Sequence, residues 1–567
     1  MLKPSYFYGK ADAVVKYYQD LEDYLLGEIA RFLIAAGRIG GSADRNIFIL
    51  QQMGMSNAEI TERLAILTHK SRNQVRRILQ ESVMTSFSND REVIERYVMG
   101  DIMPLNNPAV VAVMDAEWKK TQGELENLTK TTMRQYNKDL ITLLNEAEIR
   151  VSAGTQSYTA AVCEVLDNYA KRGMIVDYPS GASRTLEAAV RCCVVTSMNQ
   201  TAAQVTNQYI AQGRIEYVLV SAHMGARHSD KGGVYSHDLW QGKAYKIRGM
   251  EEGFPNLLEA TGYDIDPETG KGTVVDPNGL HGYNCRHSHQ PWDKDMSNPW
   301  MGKDGKCIVD PEESQEVYEK QQKQRAMERT IRQTKRELLV KQAEIDGVAE
   351  TDVKEMMQPQ YDKLAYKLRM QNQKYNQFCK DNDLRTQTDR IKVAGFKQSQ
   401  SAMANGRAMA YKNEQYDSYK ANLGNNMVSK SDFTKIMSDR TEKKLFTHYS
   451  DAIKRGDVSP LADYKLYRRT ATELQDKCVG LVTSNGVKLE KRSLHSIDRV
   501  IGSVEQRRNG VSVDMVVKAL ISPDAQVMPI RYSKQNASQK FIYEDVEVTV
   551  NPITKKLIQV NPHHRGR

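Results

Sequence analysis

Most of this chain repeats apolar residues every three or four positions, and one stretch does not. Ser221–Trp292 holds six of the 11 histidines (His223, His228, His237, His281, His287 and His289), Cys285, two of the four tryptophans, and clusters of Gly and Pro. Turn residues are too dense there for long elements. The stretch therefore predicts a small α+β module, and the helical sequence on either side must find its own partners. The predicted architecture is multidomain and mostly α: a helical N-terminal region, a small α+β His-rich module, a coiled-coil-like arm and a small α+β C-terminal domain.

Five segments follow from the patterning. In residues 1–105, Val14, Tyr18, Leu21, Leu25, Ile29 and Phe32 mark one helix face. Ser56-x-x-Glu59 and Ser71-x-x-Gln74 then fit two capping boxes, predicting a helix-turn-helix-like hairpin with Arg72, Arg76 and Arg77 on its second helix. Such a hairpin reads DNA or docks on a protein, and docking is the reading adopted. Residues 106–310 combine helices with the His/Cys-rich module, entered by a strand at Ile215–Val220. Cys192 and Cys193 pack there as small hydrophobes, and Trp240 and Trp292 serve as core anchors.

Residues 311–390 form the arm. Met327, Ile331, Leu338 and Ile345 make one seam; after a break at Pro359, Tyr361, Leu364, Leu368, Tyr375 and Phe378 make a second. Its many charges read as a solvated face. Residues 391–435 read as a linker. Residues 436–567 carry helices near Lys443–Arg455, Asp463–Thr472 and Ser512–Leu520, then a strand at Phe541–Val550 that turns at Asn551-Pro552 and returns along Leu557–Val560.

Composition narrows the class. Charged residues make up 27% of the 567 and the net charge is +9, which allows nucleic-acid contact without demanding it. Mean hydropathy is −0.60. The seven cysteines lack paired spacings and read as reduced thiols. No apolar run approaches the length of a membrane span and no signal pattern opens the sequence, so synthesis in a cytoplasm is expected.

Two clusters carry candidate chemistry. His281, Cys285 and His287 (H-x3-C-x-H) offer three zinc ligands on one loop, with His223, His228 or His237 as a fourth. The predicted set is His223, His281, Cys285 and His287 around a structural zinc; a metal-free hydrogen-bonded network is the other reading. Near the C-terminus, His495 and Arg499 lie one helical turn apart. A histidine can take a 2′-hydroxyl proton, and arginines can steady the charge on a phosphate. Arg507 and Lys540 complete the predicted catalytic set, with Ser538 and Tyr543 beside them.

SAHMGAR, HDLWQGK and LHGYNCRHS resemble signature segments of the phage minor capsid family, the head-morphogenesis proteins of tailed bacteriophages, and VAGFKQSQ at 393–400 is similar to a downstream segment. The resemblance spans roughly residues 1–420. It implies a virion protein involved in head morphogenesis and DNA packaging, present as an oligomer or in several copies in the portal vicinity, with portal and major capsid proteins and packaged DNA as partners; the lack of long apolar runs adds the expectation of no membrane contact. It departs from the family where a second Cys often follows NCR and His287 stands instead. Residues 480–562 resemble the barnase/EndoU/colicin/RelE-like nuclease domains that such proteins carry at their C-termini. That implies a metal-independent ribonuclease leaving a cyclic phosphate, with His495 and Arg499 at the matching positions, host RNA as substrate and the general acid unassigned. The alternative is a non-catalytic module that binds capsid or nucleic acid, leaving the protein purely structural.

Overall fold

The computed structural model describes residues 1–563 apart from 38, 40, 155, 179, 180, 349, 350, 394, 534 and 535, and the side chains of 42, 56, 57 and 536 also lie outside the described set. The chain is mostly helical and divides into two compact units, Met1–Ala408 and Met409–Arg567.

Five helices open the first unit: α1 (Asp12–Ala36), α2 (Ser42–Tyr97), α3 (Pro108–Ser152), α4 (Tyr158–Arg172) and α5 (Leu186–Gln212). Each start has a physical reason where a cap exists. Asn107 accepts from the backbone N–H groups of Ala109 and Val110 ahead of Pro108, while Ser157 and Thr185 cap α4 and α5 through their hydroxyls. Val14, Tyr18, Leu25, Ile29 and Leu33 of α1 are fully buried against Ile49, Ile60 and Val75 of α2 and Leu125, Tyr136 and Leu140 of α3.

The helix-turn-helix expected near residues 55–79 is absent: α2 runs unbroken through it for 56 residues. Ile49, Met53, Ile60, Leu64, Leu67, Val75, Ile78 and Leu79 form one buried stripe along that length, and packing on a continuous seam outweighs the local start signals. Ser71 is buried in mid-helix with no hydrogen-bond partner among the described residues, so it caps nothing there; the Ser56 side chain lies outside the described residues. The arginines of the expected second helix are engaged within the protein. Arg72 pairs with Glu126 of α3, and Arg76 lies over the Trp118 ring.

A short hairpin, β1 (Ile175–Asp177) with β2 (Ser183–Thr185), precedes α5. The His-rich module follows, built from β3 (Tyr217–Val220), α6 (His237–Trp240), β4 (Ala244–Lys246), α7 (Leu257–Thr261), β5 (Tyr263–Ile265), β6 (Gly272–Val274) and β7 (His289–Trp292). β3 is the centre of an antiparallel sheet ordered β4-β3-β7, and β5 pairs with β6. Trp240 and Trp292 are both buried, at 3% and 5% exposure.

The arm is α8 (Pro311–Gly347) and α9 (Thr351–Asp381). Hydrogen bonds and ion pairs join Gln324 to Cys379, Glu328 to Tyr375 and Glu337 to Lys367, so the helices run antiparallel. Two expectations are corrected here. Pro359 lies inside α9 and does not break it. The charges of α8 are a solvated face only in part: Glu312, Glu316, Glu319, Lys323 and Arg329 are exposed, whereas Glu328, Arg332, Glu337, Lys341 and Glu344 are buried, recurring at helical spacing on the side packed against α1, α4 and α9. Arg332 pairs with Glu187 at 2.6 Å and Lys341 with Asp167 at 2.9 Å. The segment read as a linker holds α10 (Gln398–Leu423), within which the chain divides, and α11 (Lys430–Ser438).

The second unit continues with α12 (Arg440–Lys454), α13 (Tyr464–Cys478), β8 (Lys491–Arg492), α14 (His495–Ile501), α15 (Val513–Ile521), β9 (Gln526–Val527), β10 (Arg531–Ser533), β11 (Asn536–Tyr543), β12 (Val546–Asn551) and β13 (Lys556–Pro562). The sheet order is β10-β11-β12-β13-β8, with β9 on β11 and only β8–β13 parallel. The strand expected across Phe541–Val550 is two strands. They turn at Glu544-Asp545, where Glu544 takes φ +50° without the Gly or Asn that usually announces such a turn. Phe541, Val548, Val550, Leu557 and Val560 are fully buried against Val516, Ala519 and Leu520 of α15.

Candidate functional sites

Asparagines and glutamines of α5 hold the loop between β6 and β7. Asn199 donates to the carbonyls of Cys285 (3.0 Å) and His287 (2.9 Å), Gln200 to His281 O (2.9 Å) and Gln204 to Gly272 O (2.7 Å). Two residues of the loop, His281 and Asn284, sit at positive φ (59° and 55°). These contacts fix the loop that carries Cys285 and His287, which meet His237 of α6, all buried, as a three-residue group able to hold a metal ion. His237 Nδ1 and His287 Nδ1 are 3.3 Å apart, and Cys285 Sγ is 3.9 and 3.7 Å from them. Donor atoms at the corners of a zinc tetrahedron, with Zn–N about 2.0 Å and Zn–S about 2.3 Å, stand roughly 3.3 Å (N to N) and roughly 3.6 Å (N to S) apart.

The hydrogen bonds around the rings make the same point. His237 Nε2 donates to Asn278 O at 2.7 Å. His287 Nε2 donates to Gln241 Oε1 at 3.1 Å, an oxygen that also accepts from the His223 backbone N–H. Both outer nitrogens therefore carry the proton, and both Nδ1 lone pairs point at each other. Burial pushes His237 down to about 3 and His287 well below the usual histidine value, so neither ring gains a second proton to relieve the opposition. A single thiol proton from Cys285 can satisfy one of the two nitrogens. A cation satisfies all three donors.

Two members of the predicted set sit elsewhere. His281 Nδ1 meets Asn199 Oδ1 (3.1 Å) and its Nε2 meets His289 Nδ1 (2.8 Å), so both its nitrogens are occupied in a structural chain that continues to Asn207. His223 stacks on the His287 ring with centroids 4.5 Å apart, and its Nδ1 faces Met224 O. His228 is tied to Asp238 at 2.9 Å, which raises its pKa. His237, one of three alternatives in the sequence reading, is the histidine that the fold places beside Cys285 and His287 and that spacing did not select.

In the second unit, Asp498 of α14 is fully buried. Its Oδ1 accepts from the Tyr467 hydroxyl at 2.6 Å, and its Oδ2 faces His448 Nε2 at 2.9 Å and His495 Nδ1 at 3.4 Å. Burial and the adjacent carboxylate push the Tyr467 phenol far up, keeping it a donor. His495 Nε2 accepts from Arg499 Nε–H at 3.0 Å, so Nε2 is the basic nitrogen and the ring proton sits on Nδ1, 3.4 Å from Asp498. Arg507 lies exposed in the turn after α14 at φ +48°. Lys540 is paired across the sheet with Glu547 at 2.9 Å and no contact joins it to His495 among the described residues. Ser538 lines a separate cavity with Lys491 and Arg531, while Tyr543 packs against the core. Sequence reasoning missed His448, 47 positions before His495 on another helix, and Asp498, whose one signal is a carboxylate between apolar Ile497 and Val500.

These features define a helix-rich, multidomain protein whose first unit is organised around a buried His/Cys centre. The family model described as Phage minor capsid protein 2 matches residues 2–380, and the chain belongs to that family: it is a structural protein of the phage head. Among curated proteins and among solved structures, none matches. Among the described residues, no helix is long and apolar enough to cross a membrane.

Proposed function

We propose that this minor capsid protein is a component of the head in the portal vicinity whose first unit is stapled by one zinc ion on His237, Cys285 and His287. The opposed Nδ1 lone pairs beside Cys285 Sγ carry the reading. The ion would cross-link α6 to the loop before β7 in a module of short elements, where a metal supplies cohesion that a thin core cannot. Several copies would contact portal and major capsid proteins. Elemental analysis of protein purified without chelator is expected to give about one zinc per chain, and Cys285→Ala is expected to remove it and lower the melting temperature. Wild-type protein that folds fully without metal would overturn the zinc reading. Absence of the chain from purified virions and proheads would overturn the head assignment.

Unit two supports a second activity, a ribonuclease fused to the capsid protein. The observation favouring it is one buried carboxylate that bonds His448 and lies 3.4 Å from His495, with Arg499 against the second histidine. His495 Nε2 would take the 2′-hydroxyl proton once Arg499 turns to the phosphate, and His448 would supply the acid that the sequence left unassigned. The full chain is expected to cut RNA in EDTA. His495→Ala and His448→Ala would each slow it by about two to four orders of magnitude, and Arg499→Lys would impair it because a point charge cannot replace the guanidinium fork. Undiminished cleavage by His495→Ala would remove His495 from the catalytic set, and RNA binding by the wild type without cleavage would leave a non-catalytic binding module.

A further inference from the structure

A cavity of about 330 Å³ opens beside the His/Cys centre, between the N-terminal segment, α5 and α8. That volume sits at the lower end of small-molecule sites, which span about 300–1,000 Å³. Its lining is unusual in charge: seven arginines and two glutamates. Both glutamates are already engaged. Glu187 receives Arg332 (2.6 Å) and Arg191 (3.5 Å); Glu328 receives the Tyr375 hydroxyl (3.0 Å) and Arg390 (3.9 Å).

What remains is cationic and short of partners. Arg325 makes no hydrogen bond or ion pair among the described residues, and desolvation with two neighbouring arginines, 286 and 390, pushes it down to about 10. Arg390 Nε is buried without an acceptor. Among the described residues, Arg286 meets no carboxylate, donating to the Tyr8 hydroxyl at 3.1 Å and lying over that ring, and Arg227 bonds the carbonyls of Asn278 (3.1 Å) and Tyr283 (2.7 Å). Taking positive charges out of water beside one another is unfavourable unless an anion compensates them. Guanidinium forks approaching from separate segments suit a tetrahedral oxyanion carrying more than one charge, the geometry in which arginine outperforms lysine.

We propose that this cavity is a binding site for a small phosphate-bearing anion, held by Arg286, Arg325 and Arg390 with Arg227 at its edge. The inference goes beyond the zinc reading and does not need the ion. The bound anion neutralises the arginines that join α8 to the loop before β7, so its arrival would tighten the first unit. Free phosphate, a polyphosphate chain and a nucleotide share this chemistry, and their relative affinities distinguish them.

Binding by the full chain to inorganic phosphate, tripolyphosphate and ATP is measured by calorimetry and by melting temperature, each against sodium chloride at matched ionic strength. Millimolar tripolyphosphate is expected to raise the melting temperature by several degrees where chloride does not, as binding to the native state requires. ATP binding tighter than tripolyphosphate identifies a nucleotide, equal binding identifies polyphosphate, and tightest binding of inorganic phosphate identifies the free ion. Arg325→Gln is expected to weaken the anion at least about tenfold while leaving the anion-free melting temperature unchanged or higher, because it removes an uncompensated charge. Arg325→Lys should fall between the two. No anion-specific stabilisation, undiminished binding by Arg325→Gln, or a lower anion-free melting temperature in that variant would each overturn the proposal; the last would make Arg325 a structural residue.

Discussion

Asn199 is the residue on which the His/Cys centre turns. Its amide donates to two loop carbonyls and its oxygen meets His281, so one side chain positions the loop carrying Cys285 and His287. Asn199→Ala would leave buried carbonyls and a ring nitrogen unpaired, at a cost of about 1–3 kcal/mol for each unsatisfied group. Denaturant unfolding is expected to show that loss, and zinc content should fall with it even though Asn199 touches no metal. An Asn199→Ala protein with unchanged stability and full zinc would show that the loop is fixed by other means. The sequence reading named the loop and two members, Cys285 and His287, of the buried group that could hold a metal. It preferred His281 to His237 because proximity in sequence was the one available guide, whereas the hydrogen bonds from α5 that occupy His281 arise from residues some 80 positions earlier.

At the scale of the element, α2 shows local signals losing to a seam. Ser71-x-x-Gln74 reads as a helix start, yet Ser71 is buried in the middle of a helix that packs along α1, α3 and α5. A true N-cap serine costs about 1 kcal/mol when replaced by alanine. Ser71→Ala should instead be neutral or slightly stabilising in chemical denaturation, since its hydroxyl has no partner to lose. A loss as large as a cap's would restore the hairpin. The same competition explains Pro359, carried inside α9 while Tyr361, Leu368 and Tyr375 stay buried on one side. In β11 and β12 the reverse happened: an apolar alternation that looks continuous hides a two-residue turn, because Glu544 accepts a left-handed conformation that its residue type does not advertise.

Across the whole first unit, the charges of α8 are the feature with a pH consequence. Glu344 is fully buried beside Lys341, and burial raises its pKa to about 7 from a model-compound value of 4.5. A carboxyl whose folded pKa is raised contributes stability that is complete below pH 4.5 and lost as the pH climbs through about 7. Relative to Glu344→Gln, which cannot titrate, the wild type is expected to lose up to about 3 kcal/mol between these limits. The readout is the pH dependence of the stability difference between the two proteins; a flat difference would refute the shift.

What the sequence determined by itself is whatever depends on neighbours along the chain. The helical stripes, the turn-rich break at Ser221–Trp292, the pairing seams of α8 and α9, and the family motifs at 221–227, 237–243 and 280–288 are all local patterns. Tertiary structure decided the rest. It placed His237 rather than His281 beside Cys285, brought His448 and His495 to the same carboxylate of Asp498, merged two expected helices into α2, and turned Glu328, Arg332, Glu337, Lys341 and Glu344 of α8 inward. Each of these is set by a partner tens to hundreds of residues away, whose position is fixed by packing and hydrogen bonding in three dimensions and leaves no periodicity in the chain.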